Sequence, residues 1–320
     1  MKLIEPKVEF VKPKSLYEDI EKAARTCYKS EDKIQYDYDG NSVTAEKFVN
    51  NIVNVKKHAS VAEHGTVYLK TKYDFNDIDF YIHNPYSKVS FDNDTYYITT
   101  NHRVLVENNR LDDLKYLSEY EKGKHHKRWT FRFYTQIAMS REANRHRKNS
   151  MAEQSTRYCN YSKDKHGNEI NICIPEFINE LDEKNVIGLY NDCVSHFKTK
   201  WMRALCLEIG QGDDQKYFDA INYWLVANMI CEYCHMNLLR LGIKPEDART
   251  ILPLDTQTEL VHTAYVSDWI HFLKLRLAET AHPDMRLLAK QMIAALLEAG
   301  EIDNEDIDNI SEKIGIKICI

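Results

Sequence analysis

Residues 128 to 135, RWTFRFYT, alternate between bulky apolar and polar side chains. A two-residue repeat is satisfied only by an extended strand, with Trp129, Phe131 and Phe133 on one face and Thr130 and Arg132 on the other. Such a strand is half-buried, so its aromatic face needs a second layer to pack against. The alternation stops at once in QIAMSREANRHR, which reads as a short helix carrying arginines.

The rest of the chain supplies both kinds of element. KLIEPKVEFV reads as an opening strand, and SLYEDIEKAARTCYKS as a helix capped by Ser15. TAEKFVNNIVNVKKH reads as a second helix with Phe48, Ile52 and Val55 on one stripe, and HASVAEH then leads to a strand-like TVYLKTKYDF. Residues 74 to 128 are polar, tyrosine-rich and irregular; they read as an insertion or elaboration, with DNDTYYITTNHRVLVEN as a strand pair. KDKHGNE makes a hairpin-like turn before the strand NICIP.

Beyond Pro175 the pattern is mostly helical, with one helix near 183 to 209 and another from about 213 to 241, stopped by Gly242. Pro245 and Pro253 bracket a short turn of helix, and ELVHTAYV reads as a strand. SDWIHFLKLRL reads as a helix capped by Ser267 or Asp268, and PDMRLLAKQMIAALLEAG as one opened by Pro283 and closed at Gly300. No repeat or linker interrupts the pattern. The expected architecture is α+β, a mixed sheet with flanking helices in a single intertwined domain over residues 1 to 320.

A length of 320 residues can bury a sizeable core without staples. The net charge of -6 and a pI of about 6.1 argue against a general polyanion binder, so any recognition of phosphate is local. MKLIEPKVEFVKPK lacks the apolar core of an export signal, and the most apolar window, YWLVANMIC, is shorter than the ~18 residues of a membrane span. A cytoplasmic protein with no membrane partner is expected, and its 8 cysteines then read as thiols. Cys231, Cys234 and His235 spell the CxxCH of haem attachment, but they lie in a stretch of helical period, and haem attachment belongs to exported chains. Thiols in core or helix contacts are the preferred reading. Without a second CxxC at matching spacing, no metal site is expected.

The stretch RHRKNSMAEQSTRY, 145 to 158, holds most of the chemistry. Arg141, Arg145, Arg147, Lys148 and Arg157 face only Glu142 and Glu153. Charge alone reads equally well as a solvated face, but Ser150, Ser155 and Thr156 add hydroxyls suited to phosphate oxygens. Neither GxGxxG nor GxxxxGK[ST] occurs, so an anion must be gripped by side chains, arginine forks above all. With Arg141 and Arg145 four residues apart on a helix, repulsion costs about a few tenths of a kcal/mol that an anion offsets. Ser155 is outside any GxSxG elbow and reads as a phosphate ligand rather than a nucleophile. A phosphorylated small molecule is the expected ligand.

Arg145, His146 and Arg147, seven intervening residues and Ser155 resemble the RHRx7S signature of the flavin-dependent thymidylate synthases, and EQSTRY extends the likeness through Glu153, Arg157 and Tyr158. AARTCY (23 to 28), HASVAEH (58 to 64, with Ser60 in the place of a threonine), DARTILP (247 to 253) and WIHFLKLR (269 to 276) are similar to further motifs of that family. The resemblance covers most of the chain outside roughly 74 to 128, the stretch 180 to 240 being only loosely comparable.

The resemblance implies a homotetramer of mixed α+β fold with FAD bound between subunits. It implies conversion of dUMP to dTMP, with methylenetetrahydrofolate as carbon donor and NADPH as reductant, and no nucleic-acid partner. Carried over by position, Ser60, Arg145, His146, Arg147, Glu153 and His271 would contact flavin. Glu142 to Arg145, Glu153, Gln154, Ser155, Thr156, Arg157 and Arg249 would bind dUMP, and Arg276 would bind it too as the catalytic residue, favouring an ionised uracil N3. The competing readings are a snorkelling Arg276 on a leucine-rich helix and an Arg249 that only caps or pairs beside Glu246 and Asp247.

Four positions depart from the family pattern. Glu142 stands where glutamine is common, and its carboxylate would repel a phosphate unless paired with Arg141 or His146. Ala152 replaces a common asparagine, while Tyr265 and Ser267 replace an asparagine and an arginine often used on flavin. These departures leave room for a flavin- and folate-dependent dUMP hydroxymethylase. A non-catalytic nucleotide- or RNA-binding protein is the reading from a different class.

Overall fold

The computed structural model describes residues 1–72, 77–163, 168–181 and 220–318. The expected helix near 183 to 209, the start of the next one and Cys193, Cys206 and Cys319 lie outside them.

The opening stretch forms two strands, β1 (Lys2–Ile4) and β2 (Lys7–Phe10), instead of the single strand expected. Pro6 lies between them and has no N–H to give a ladder, so the chain changes partner there. Helix α1 (Leu16–Tyr28) starts as expected, with the Ser15 hydroxyl accepting from the Glu18 N–H, and stops at Lys29 in the left-handed region. Helix α2 (Ala45–Val49) runs on into a wider π turn, Asn50–Val55, closed by the Lys56 N–H on the Asn51 carbonyl. That wider turn rotates the buried stripe to Val49, Ile52 and Val53 and leaves Val55 72% exposed, which corrects the expected stripe of Phe48, Ile52 and Val55.

A 3-10 turn, Ala59–His64, leads to β3 (Thr66–Lys72), then α3 (Ile78–His83), β4 (Lys88–Asp92), β5 (Thr95–Asn101) and α4 (His102–Glu107). Asn93 and Asp94 join β4 to β5 with φ of 47° and 58°, the pair of positive values that a type I′ hairpin needs. The expected strand pair at the end of this segment is one strand followed by a helix. Asn101 makes the switch, its side chain accepting from the Val104 N–H at 3.1 Å.

β6 (Arg128–Gln136) carries the alternating aromatics and passes into α5 (Ile137–Ala143) and β7 (Ser150–Glu153). Next come β8 (Asn171–Cys173), α6 (Glu176–Leu181), α7 (Ala220–Arg240) and α8 (Pro245–Ala248), the last continued by a 3-10 turn, Arg249–Ile251. β9 (Gln257–Tyr265), α9 (Val266–Arg276), α10 (Pro283–Glu298) and α11 (Asn304–Ile314) complete the order. Gly242 and Gly300 follow their helices with φ of 85° and 71°, as the stop signals require. α9 starts earlier than expected, from Tyr265 without a side-chain cap; Ser267 lies in its first turn and accepts from Lys88 Nζ instead.

The mixture of helices with parallel and antiparallel strands is the expected α+β class, and the chain divides into two compact units. One comprises residues 1–6, 135–138 and 156–257. Its strands β1 and β8 pair in parallel, and Leu3, Ile172 and Ile174 pack with Ile178 of α6 and Leu225 and Met236 of α7. The CxxCH run lies on α7 with His235 buried, Cys231 half-buried and Cys234 exposed, so only the histidine belongs to the core.

The other unit comprises residues 7–134, 139–155 and 258–320. It holds a four-stranded sheet ordered β2-β6-β9-β7 and a three-stranded sheet ordered β3-β5-β4. The aromatic face of β6 packs on α9, with the Phe131 and Trp269 rings edge to face at 4.9 Å and Phe133 and Phe272 both buried. Residues 77 to 107 are therefore ordered, and with β3 they enclose their own core of Val67, Leu69, Tyr81, Ile98 and Leu105. Among the described residues, no helix is long and apolar enough to cross a membrane.

Candidate active site

Helix α5 ends at Ala143, so Arg145 is not on it. The Arg145 and His146 N–H groups bond the Glu142 and Ala143 carbonyls, and the Arg147 N–H bonds the Arg145 carbonyl, winding the chain into a tight turn. The expected i,i+4 repulsion between Arg141 and Arg145 is thus absent, because the helix stops short. Arg145, Arg147 and Lys148 are exposed, and their side chains make no hydrogen bond or ion pair with the described residues. His146 turns the other way and lays its ring 4.5 Å from that of Phe272.

Arg276, the last residue of α9, grips this turn. Its Nη1 donates to Glu142 Oε2 at 2.7 Å, its Nη2 to the Glu142 carbonyl at 2.7 Å, and its Nε to His146 Nε2 at 3.1 Å. Glu142 is thus paired with Arg276 rather than with Arg141 or His146. The planar fork meets one residue at side chain and backbone together, which fixes the guanidinium plane. Arg276 is only 15% exposed at its side chain, which is not how a snorkelling arginine sits.

An Nε–H donating to His146 Nε2 requires that nitrogen to be unprotonated, so the imidazole is neutral with its proton on Nδ1. Burial, then Arg276 and His271, push the His146 pKa down to about 4. His271, exposed on α9, brings its ring to 6.2 Å from that of His146. Glu142, His146, His271 and Arg276 therefore come together, whereas Ser60 sits exposed on the 3-10 turn Ala59–His64.

Glu153, at the end of β7, is held by two donors: Asn144 Nδ2 to Oε2 and Thr258 Oγ1 to Oε1, each at 3.1 Å. The Asn144 oxygen in turn faces His262 Nε2 at 3.2 Å. With the Asn144 amide donating to Glu153, the His262 nitrogen is the donor, and burial drives its pKa down to about 3, keeping the ring neutral. Sequence reasoning missed His262 and Thr258. The available signal was a histidine and a threonine in ELVHTAYV and the residues before it, a strand buried along almost its whole length. Backbone bonds anchor the adjoining residues, from the Gln154 N–H to the Glu259 carbonyl (2.7 Å) and from the Ser155 N–H to the Cys27 carbonyl (3.0 Å).

In the unit of residues 1–6, 135–138 and 156–257, a second cluster forms around Glu246 of α8. Arg157 Nε donates to Glu246 Oε2 at 2.9 Å, Arg249 Nε to the Glu246 carbonyl at 3.1 Å, and Arg249 Nη1 to Thr156 Oγ1 at 3.3 Å. The Arg157 contact holds the Glu246 carboxyl below its ordinary pKa. His235 Nδ1 lies 2.9 Å from the Ala248 carbonyl and ties α8 to α7. Arg249 does cap a neighbouring carbonyl, as the blander reading held, and still reaches Thr156.

In the unit of residues 7–134, 139–155 and 258–320, a cavity of about 180 Å³ is lined by Asp19, Lys22, Thr26, His64 and Arg132 among others. None of the sequence-selected site residues lines it. Among the described residues no histidine, cysteine and carboxylate group is arranged to hold a metal ion.

The sequence model of the family described as thymidylate synthase complementing protein matches residues 90–299. No curated protein matches the chain. Similar solved structures include thymidylate synthase X from Helicobacter pylori with FAD and dUMP, 18% identical over 91% of this chain and 93% of that one, with a TM-score of 0.34. Another is the UMP/dUMP methylase PolB from Streptomyces cacaoi bound with 5-Br dUMP, 19% identical over 93% of each chain, with a TM-score of 0.40. The family match contains the arginine turn, the α8 segment and α9, and it also takes in much of residues 74 to 128, while AARTCY and HASVAEH precede it. On that match, over well more than half of its length, the chain belongs to the thymidylate synthase complementing protein family.

Proposed function

We propose that the chain is a flavin-dependent enzyme that methylates dUMP to dTMP, taking the carbon from methylenetetrahydrofolate and the reducing equivalents from NADPH. The observation that carries this reading is Arg276, fixed by Glu142 and a neutral His146 beside a turn of exposed cations that pair with no acid among the described residues. Membership of the thymidylate synthase complementing protein family points in the same direction.

The residues present fit an anionic dinucleotide. Among the described residues no acid consumes the charge that Arg145 and Arg147 offer, and the neutral His146 beside them adds no repulsive proton to an electron-rich ring. Ser60, Arg145, His146, Arg147, Glu153 and His271 are the proposed FAD ligands. When bound, FAD supplies the hydride that converts the transferred carbon into a methyl group.

The chain's own part in the chemistry centres on Arg276. A guanidinium has five N–H groups, and three of them are spent on Glu142 and His146, leaving two for the pyrimidine edge. A fixed positive group there favours the N3 anion and raises electron density toward C5, which can then accept the one-carbon unit without an enzyme thiolate. Burial raises the Cys27 thiol to a pKa of about 11, so this cysteine near the motif stays protonated and inert. The proposed dUMP ligands are Glu142, Arg145, Glu153, Gln154, Ser155, Thr156, Arg157, Arg249 and Arg276, in a homotetramer.

The test is to incubate the purified protein with FAD, NADPH, methylenetetrahydrofolate and dUMP and to separate the nucleotides. dTMP is expected. Accumulation of 5-hydroxymethyl-dUMP would replace methylation by hydroxymethylation, and unchanged dUMP with a protein that binds no flavin would overturn the reading.

A further inference from the structure

The exposed face of α9 carries Ser267 and His271, four residues and one helical turn apart, so their side chains are neighbours. A cation from outside this helix stands at its first turn, and a second lies near that cation. Lys88 of β4 donates from Nζ to Ser267 Oγ at 2.6 Å and stands 4.3 Å from the centre of the Tyr265 ring. Lys148, directly after the arginine turn, is near enough that its charge helps burial lower the Lys88 pKa, with Asp268 opposing. No carboxylate among the described residues lies within ion-pair distance of either ammonium group. The position of Lys88 is set by the sheet: the Tyr265 hydroxyl lies 2.7 Å from the Thr99 carbonyl of β5 and 3.0 Å from the Tyr86 carbonyl just before β4.

Two like charges, one of them half-buried and neither with an acid partner among the described residues, cost free energy that a doubly negative group between them would recover. One turn along the same face, His271 is in the set proposed for flavin. We propose that Lys88, Lys148 and the Ser267 hydroxyl bind the diphosphate of the flavin dinucleotide, so that the β4–β5 hairpin completes the cofactor site. This inference rests on the flavin reading above. It gives residues 77 to 107 a function: they bring a cation to a helix whose sequence offers only a serine at that place.

Binding of FAD and of riboflavin to the flavin-free protein, followed by fluorescence quenching, tests it. Lys88→Ala and Lys148→Ala should each weaken FAD binding about tenfold, flatten its dependence on salt, and leave riboflavin affinity unchanged, because riboflavin has no phosphate. Lys88→Arg should retain most of the affinity. Lys148 is exposed, so its variant reports on the proposal even if Lys88→Ala disturbs the fold. Wild-type FAD affinity in both variants, or a parallel loss of riboflavin, overturns the assignment. A wild-type protein that binds neither flavin overturns the flavin reading and this inference together.

Discussion

Arg145 and Arg147 stand exposed with no acid among the described residues to hold them, whereas Arg157 and Arg249 are exposed but both spend donors on Glu246. The difference separates two ways of meeting an anion. An unpaired surface cation gains the whole charge-assisted contact when a ligand arrives; a paired one must exchange a partner and gains only the difference. The turn after α5 should therefore provide affinity and salt dependence, and the α8 cluster should adjust selectivity at small net energy. Arg276 is a third case, since Glu142 and His146 use three of its donors to aim the other two.

Removing the aimed guanidinium should have the largest effect. Arg276→Ala is expected to lower kcat by about a thousandfold, the scale for losing a preorganised charge contact in a transition state. Flavin binding should change only a few-fold, because Arg276 is not among the flavin ligands; steady-state kinetics beside the absorbance of bound flavin would separate the two. Near-normal turnover would strike Arg276 from the mechanism.

The contrast between paired and unpaired arginines is tested next. Arg145→Ala combined with Arg147→Ala should weaken FAD binding about a hundredfold in a titration, at about tenfold per lost charge-assisted contact. Glu246→Gln, by releasing Arg157, should instead tighten dUMP binding by about threefold in calorimetry. Weaker dUMP binding in Glu246→Gln would show that the acid orients Arg157 for the ligand and that the exchange argument fails.

The smallest effect concerns pH and stability. In the folded chain His64 and His262 are held down to a pKa of about 3, and His102 and His146 to about 4, all chiefly by burial. An unfolded histidine takes its proton near 6.5, so below that pH the unfolded chain binds more protons and the folded state loses stability until the folded pKa is reached. Asp19, raised to about 6 by burial, acts in the opposite direction but is one group against four. The urea midpoint should therefore be full above pH 6.5 and fall steadily between pH 6.5 and about 4. A midpoint that rises over this interval would contradict the neutral assignment of His146 and His262.

Local physics made much of the fold legible. The alternation at 129, 131 and 133, the Ser15 cap, Pro283 at a helix start and Gly242 at a helix end each depend on a few adjacent residues, and each is found as expected. The arginine turn was legible as a motif, although its departure from the helix was not, since nothing local in REANRHR forbids another turn of helix. The contacts that aim the site are far apart in sequence: Glu142 and Arg276 are separated by 134 residues, and Asn144 and His262 by 118. No period or spacing within one element encodes such pairs. Residues 74 to 128 looked irregular because their strands are short and rich in tyrosine and threonine, yet the I′ turn at Asn93 and Asp94 and the cap at Asn101 impose order.

The most direct measurement is the absorption spectrum of the purified protein titrated with FAD at about 50 mM and about 200 mM salt. With unpaired cations seating an anionic dinucleotide, a yellow complex should form and weaken as salt rises. An FAD spectrum left unchanged by the protein at both salt concentrations would contradict the account at its centre.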